Sequence, residues 1–206
     1  MPGSVNLSGG GLVIGADATL GAGSVQFNSG WLEVAGGGTV IRSADFQGRA
    51  TLHVVENLVW SGNTFGPGGL TKTGDGRLTL TGTNTYTGET RIEAGTLAGG
   101  PLSFPNGMGR LFIAAGAEFD TAGLAFSVAE LRGEGTVFLN GGGLNLNQTT
   151  ETTFSGQTAG SGFFANNSTG GLTVDGSFEH TGETRINGGT LRMGAINALS
   201  AASLHR

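Results

Sequence analysis

The chain contains no cysteine, a single lysine (Lys72), one tyrosine and only four prolines in 206 residues. Without cysteine, a small secreted domain stapled by disulfides is excluded. A polypeptide that crosses a bacterial envelope unfolded also avoids trapping disulfides on the way, although chance explains the absence equally well. The net charge is −5 and no run of basic residues occurs. A phosphate-tracking groove is therefore excluded, and nucleic acid with it as a partner. No apolar stretch reaches the roughly 18 residues of a membrane-crossing helix, so no membrane insertion by this segment is expected. Sparse proline, and glycine that does not recur at every third position, exclude collagen. Met1-Pro2-Gly3-Ser4 has neither the charged nor the apolar region of an export signal. Such a signal is expected outside this stretch. A chain that begins and ends inside a repeat pattern reads as a fragment.

What the chain does have is glycine, 42 residues of it. That proportion can mark disorder, but charge is only 12% and alternating apolar residues lie between the glycines, which argues for a packed chain. Glycine costs about 1 kcal/mol per residue in a helix interior and suits tight corners that need positive φ. Period-two runs dominate: Val25-Gln26-Phe27, Leu32-Glu33-Val34, Leu78-Thr79-Leu80, Val137-Phe138-Leu139 and Leu144-Asn145-Leu146. Each is a short strand with one buried and one solvated face, threonine being common on the outside. The only helical candidates are Leu124 to Leu131 and Ala195 to Leu204, a turn or two each.

The strongest signal is internal repetition. Thr87-Gly88-Glu89-Thr90-Arg91-Ile92 returns 94 residues later as Thr181-Gly182-Glu183-Thr184-Arg185-Ile186. The offset holds without a gap from Trp60 against Phe154 to Leu97 against Leu191, and Leu78-Thr79-Leu80 falls on Leu172-Thr173-Val174. Residues 1–206 read as one β-helical segment with two long repeats, roughly 10–95 and 96–190, and Ser200-Ala201-Ala202-Ser203-Leu204 opening a third. Such a repeat is too long for one solenoid coil. At roughly 20 to 25 residues per coil it would span about four. A short strand with one apolar edge gains burial and pairing only when the next coil stacks on it, which favours a parallel β-helix. An antiparallel sandwich stays open, because hairpin dipeptides occur at Asp75-Gly76, Asn106-Gly107, Asn140-Gly141, Asp175-Gly176 and Asn187-Gly188.

The segment Gly68-Gly69-Leu70-Thr71-Lys72-Thr73-Gly74-Asp75-Gly76-Arg77-Leu78-Thr79-Leu80-Thr81-Gly82-Thr83-Asn84-Thr85-Tyr86-Thr87-Gly88-Glu89-Thr90, continuing to Leu97, closely resembles the autotransporter-associated β-strand repeat. The second copy departs from it, with Phe163-Phe164-Ala165-Asn166 in place of Gly-Leu-Thr-Lys and Phe178-Glu179-His180 in place of Asn-Thr-Tyr. The resemblance implies the passenger of a type V secreted protein of a Gram-negative bacterium, folded as a right-handed parallel β-helix. It also implies export across the outer membrane to the cell surface by a C-terminal translocator barrel outside this chain. The repeat usually marks a stem and names no activity.

The chemistry-bearing residues are few. Glu118 and Asp120, two apart on one strand face, form the tightest carboxylate pair; Glu89 with Glu93, Glu130 with Glu134 and Glu179 with Glu183 are looser. A solvated strand face accounts for Glu118 and Asp120 as well as acid–base chemistry does. His53, His180 and His205 have no second histidine or cysteine at ligand spacing, so neither a metal nor another cofactor is expected. No nucleophile elbow occurs. The repeated Glu89-Thr90-Arg91 and Glu183-Thr184-Arg185 read as exposed same-strand ion pairs worth about 0–1 kcal/mol, with Ile92 and Ile186 as their buried counterparts; a charged recognition stripe is the alternative. Phe163 and Phe164 cannot both face inward. Binding, where present, is expected on lateral loops, Gly99 to Gly109 or Gln157 to Thr169, with a host cell-surface or extracellular protein or glycan as partner. The expected role is therefore a surface stem or adhesion scaffold with no enzymatic activity. The alternatives are the inactive stalk of a larger surface enzyme, such as an autotransporter serine protease, and a polysaccharide-cleaving β-helix.

Overall fold

A computed structural model describes residues 3–15, 20, 23–104 and 107–194. The chain forms two compact units, Met1–Asn106 and Gly107–Arg206. In both, the strands pair parallel, and no α-helix occurs among the described residues. Each unit is a parallel β-solenoid; the sandwich alternative is excluded because no antiparallel pairing occurs among the described residues.

In the first unit the coils have three faces. One stacks Val5–Leu7, Val25–Phe27, Ala44–Phe46 and Thr64–Phe65. The second stacks Gly11–Ile14, Trp31–Val34, Ala50–His53, Leu70–Thr73 and Thr90–Ile92. The third stacks Gly38–Val40, Leu58–Trp60, Arg77–Leu80 and Thr96–Gly99. Val5 pairs with Val25 and Val25 with Ala44, so a coil takes 20 or 19 residues. Inward residues form apolar ladders such as Leu32, Leu52 and Leu58, Leu78, Leu97, all at most 2% exposed. Burying each contributes about 1.5–3 kcal/mol. Outward residues form polar ladders: Asn6 donates to Gln26 at 2.9 Å, and Gln26 to Asp45 at 3.3 Å. Threonine serves both sides, since Thr64 and Thr90 are buried.

The second unit repeats the plan. Its first face stacks Ala125–Val128, Gly143–Leu146, Phe163–Asn166 and Thr184–Ile186. Its third stacks Glu118–Asp120, Thr136–Phe138, Gln157–Ala159 and Ser177–Phe178. Between them, the long strands Ala125–Gly133, Phe163–Val174 and Thr184–Met193 bend round a corner and pair again on the second face, with Thr152–Phe154 among them. The expected helix at Leu124 to Leu131 is therefore strand. Phe126 and Val128 are buried alternately, and the bend moves the next buried residue to Leu131. That three-residue step imitated helical spacing. The other helical candidate, Ala195 to Leu204, and the third repeat opening at Ser200 lie outside the described residues.

The 94-residue offset preserves register inside each unit. Leu70 pairs with Thr90 as Phe164 pairs with Thr184, and Leu78 with Leu97 as Leu172 with Leu191. At about 20 residues per coil the offset equals nearly five coil lengths, not four. Wide β-helices carry longer loops, whereas these corners are almost bare.

The corners are bare because a glycine packs directly on the backbone of the coil beneath. A Cβ on Gly68 would lie 1.8 Å from the Gly48 carbonyl oxygen, and one on Gly88 2.5 Å from the Gly68 carbonyl carbon. The second unit repeats this at Gly162 and Gly182, where the clashes with Gly142 and Gly162 oxygens are 2.1 and 1.9 Å. Positive φ, the expected reason for glycine, applies at Gly74 and Gly95 but not in these columns. There the requirement is close approach of one coil to the next.

Lys72 occupies an inward position and is fully buried. Its ammonium donates to the carbonyls of Thr73 (3.3 Å), Gly74 (2.6 Å) and Ala94 (2.9 Å), tying two successive coils at one corner. Burial lowers its pKa to about 8, partly opposed by Asp75. Tyr86 is also buried, and desolvation raises its pKa, partly opposed by the hydrogen bond with Thr90. It reaches Phe46, two coils away, with ring centroids 5.2 Å apart.

Two outcomes are expected in urea unfolding. Gly88→Ala and Gly182→Ala each lose about 2 kcal/mol by overpacking, whereas Gly10→Ala, with open space at its Cβ, stays within about 0.5 kcal/mol. Between pH 8 and 10 the unfolded chain holds the Lys72 proton more tightly than the folded chain, so stability rises with pH by about 2 kcal/mol. Above pH 10 the unfolded tyrosine ionises while Tyr86 in the fold does not, and stability falls. Lys72→Met removes the rise and Tyr86→Phe the fall.

Candidate functional site

Glu118 and Asp120 lie on the strand Glu118–Asp120, with Phe119 buried between them. Asp120 is only 5% exposed, and its carboxylate accepts from the Ala122 amide at 2.7 Å, where the chain turns at a positive φ. It braces a corner. Glu118 stands opposite Thr136 in the register. The other carboxylates are dispersed: Glu130 pairs with Arg132, Glu89 with Arg49 at 3.3 Å, and Glu179 accepts from Ser177 at 2.9 Å. Among the described residues no three histidine or acidic side chains converge.

The two Glu-Thr-Arg copies differ. Arg185 pairs with Glu183 on its own strand at 2.7 Å, as expected. In the first copy Arg91 turns forward to Glu93, and Glu89 is held by Arg49 from two coils below, while Arg49 also donates to Thr71 at 3.1 Å. Ile92 is buried, but Ile186 is 57% exposed, contrary to expectation. It lies on Thr184–Met193, a strand whose residues are all half-buried or exposed. Phe164 is buried and Phe163 lies outside, where its ring covers Gly143 and carries the Arg185 guanidinium at 5.0 Å.

Of the loops expected to bind, Gln157 to Thr169 consists mainly of the strands Gln157–Ala159 and Phe163–Val174. Its Asn and Ser residues imitated a loop, but Asn166 and Ser168 are buried. In Gly99 to Gly109, residues 105 and 106 lie outside the described residues. Phe104 packs on Tyr86 (5.9 Å), Ser103 donates to the Gly100 carbonyl at 2.7 Å, and Leu102 is exposed.

His205 lies outside the described residues. His180 is a core residue, bonded to Thr158 at 2.7 Å through Nδ1 and to Thr184 at 3.0 Å through Nε2. It stands where the first repeat has Tyr86, whose hydroxyl bonds Thr90 at 2.7 Å, again four residues on. The partners changed together. Thr64 bonds Asn84 at 2.7 Å in the first repeat; the position of Asn84 is Phe178 in the second, and Thr158 turns to His180 instead. Desolvation lowers the His180 pKa, partly opposed by the Glu183 backbone.

His53 is on the surface, with Nδ1 3.0 Å from the Thr73 hydroxyl. It borders a groove of about 350 Å³ lined by Trp31, Glu33, Thr51, His53 and Thr73, on the outer side of the second face of the first unit. Reading of the sequence missed this assembly, because its members are 20 residues apart; the coil length is the signal that would have joined them. A second groove of about 320 Å³, in the other unit, has Glu134, Thr136, Ser155, Gln157 and Ser177 among glycines.

The Passenger-associated-transport-repeat family matches residues 70–98 and 165–193, one stretch in each unit. The chain is 38% identical over 142 residues to the adhesin BmaC autotransporter of Brucella suis biovar 1 (strain 1330), covering 65% of this chain and 4% of that protein. It is 56% identical over 39 residues to an extracellular serine protease of Serratia marcescens, covering 19% of this chain and 4% of that protein. The chain thus spans a small fraction of the length of these relatives. No solved structure matches it.

Acid is expected to weaken the fold through His180. Its folded pKa lies below the unfolded value of about 6.5, so the unfolded chain takes up the proton first and stability falls as pH drops below 6.5. The double variant Phe178→Asn/His180→Tyr rebuilds the first repeat's pair. Unfolding midpoints between pH 7 and 5 should fall less steeply in it than in the parent chain.

Proposed function

We propose that this chain, which matches the passenger repeat family at residues 70–98 and 165–193, is a non-enzymatic length of a surface-displayed autotransporter passenger, acting as stem and carrying adhesion on its outer faces. The observation that supports this reading is the division of labour in each coil. Inward residues and corner glycines hold the stack, and alternate residues of each strand face outward. Each completed coil offers a parallel edge on which the next can pair, so folding outside the cell would oppose return through the translocator. Adhesion to a host cell-surface or extracellular partner is favoured by the long match to an autotransporter adhesin.

A second reading, the stalk of a surface protease, draws on the 39-residue matches to extracellular serine proteases. A polysaccharide-cleaving role has little support, because Asp120 is committed to its corner.

The test is an in-frame deletion of residues 1–206 from the polypeptide that carries them, with surface display quantified by antibody against a retained segment. The expected result is normal display with adhesion to host cells reduced severalfold. Undiminished adhesion at equal display would overturn the adhesive role, and loss of a proteolytic activity instead would favour the stalk.

A further inference from the structure

The groove on the first unit has a defined layout. Across successive coils one outer row reads Gly11, Trp31, Thr51, Thr71, and the next reads Val13, Glu33, His53, Thr73. Stacked coils lie about 4.8 Å apart, and rows two residues apart on a strand are separated by about 7 Å. Trp31, Glu33, Thr51 and His53 therefore occupy the corners of a patch about the size of one sugar ring. The Trp31 indole leans back across Gly11: a Cβ there would come within 1.8 Å of the ring. It remains 39% exposed, whereas the chain's other indole, Trp60, is fully buried.

The polar groups are similarly placed. Glu89, Glu130 and Glu183 are each engaged by an arginine, but Glu33 has no ion-pair partner among the described residues. His53 is oriented by Thr73, which leaves its Nε2 to meet a ligand. The comparable outer aromatic of the second unit, Phe163 over Gly143, is covered by Arg185. The exposed indole beside an unpaired carboxylate is thus particular to this groove.

We propose that the groove binds a neutral saccharide, with the Trp31 indole stacked on the apolar face of a pyranose and Glu33, Thr51 and His53 hydrogen-bonding its hydroxyls. A pyranose combines C–H groups on one face with a rim of donors. An ionised carboxylate is an acceptor only, and its charge-assisted bonds to hydroxyls are about twice as strong as neutral ones. The same carboxylate, in a chain of net charge −5, repels uronic and sialic acids. A volume of about 350 Å³ is near the lower limit for small-molecule sites, about 300–1,000 Å³, and suits one or two sugar rings. The inference rests on the adhesive reading above and names its ligand class.

The test titrates the 206-residue chain with lactose, maltose, cellobiose and N,N′-diacetylchitobiose, and with sialyllactose as the charged probe. Tryptophan emission and calorimetry are the readouts. Saturable binding of at least one neutral disaccharide is expected, with no binding of sialyllactose. Trp31→Ala should weaken binding by at least about tenfold, and Glu33→Gln by about tenfold. Phe65→Ala, at an exposed aromatic on another face, should leave binding unchanged. Far-UV circular dichroism and the remaining Trp60 emission report whether Trp31→Ala folds; where it does not, Glu33→Gln decides. No saturation with any of the four sugars, unchanged affinity in the folded variants, or equal binding of sialyllactose would overturn the proposal. Should sugar binding fail while deletion of residues 1–206 still lowers adhesion, the adhesive reading stands and this site falls.

Discussion

The contact on which these coils depend is the one between a corner glycine and the backbone of the coil beneath it. Parallel stacking at about 4.8 Å brings the chain at the Gly48–Gly68–Gly88 and Gly142–Gly162–Gly182 columns too close for any side chain. Strand register follows, because only a glycine fits where the backbone of the coil beneath comes so near. With register set, each inward residue lies over its counterpart, and the apolar ladders form without further choice. The glycine content that elsewhere accompanies disorder is here the condition for order. The cost in backbone entropy is offset by burial along every face.

Within that frame, buried polar groups are exchanged in sets. Asn84 with Tyr86 in one repeat, and Phe178 with His180 in the other, satisfy equivalent threonines by different routes. Either half of the exchange alone would strand a buried hydroxyl, at about 1–3 kcal/mol. Lys72 and Asn166 are a less complete case. Lys72 reaches three carbonyls, whereas the shorter Asn166 only accepts from the Ser168 amide and leaves its own amide nitrogen without a partner. A consequence is that the two repeats respond to pH differently, one through lysine and tyrosine, the other through histidine.

The outer rows obey no such constraint. Trp31 over Gly11 and Phe163 over Gly143 use the same device, a flat ring accommodated by a glycine one coil earlier. One ring is closed off by Arg185 and the other is open beside Glu33. A scaffold whose interior fixes position leaves its outer rows available for contact.

The alternation of Leu78-Thr79-Leu80 and its kin, the glycine content and the gap-free 94-residue offset determined the strand class and the stacked architecture, because these are properties of neighbouring residues and of repetition. The coil length was not legible, since a sequence repeat covers several coils without marking where each closes. For the same reason Leu124 to Leu131 imitated a helix, and Gln157 to Thr169 imitated a loop: a bend and buried polar residues change the local pattern without ending the strand. Only the tertiary structure decided which charges meet, drawing Arg49 to Glu89 across two coils, and only it gathered Trp31, Glu33 and His53. Twenty residues of chain separate Trp31 and Glu33 from Thr51 and His53, and stacking alone makes them neighbours.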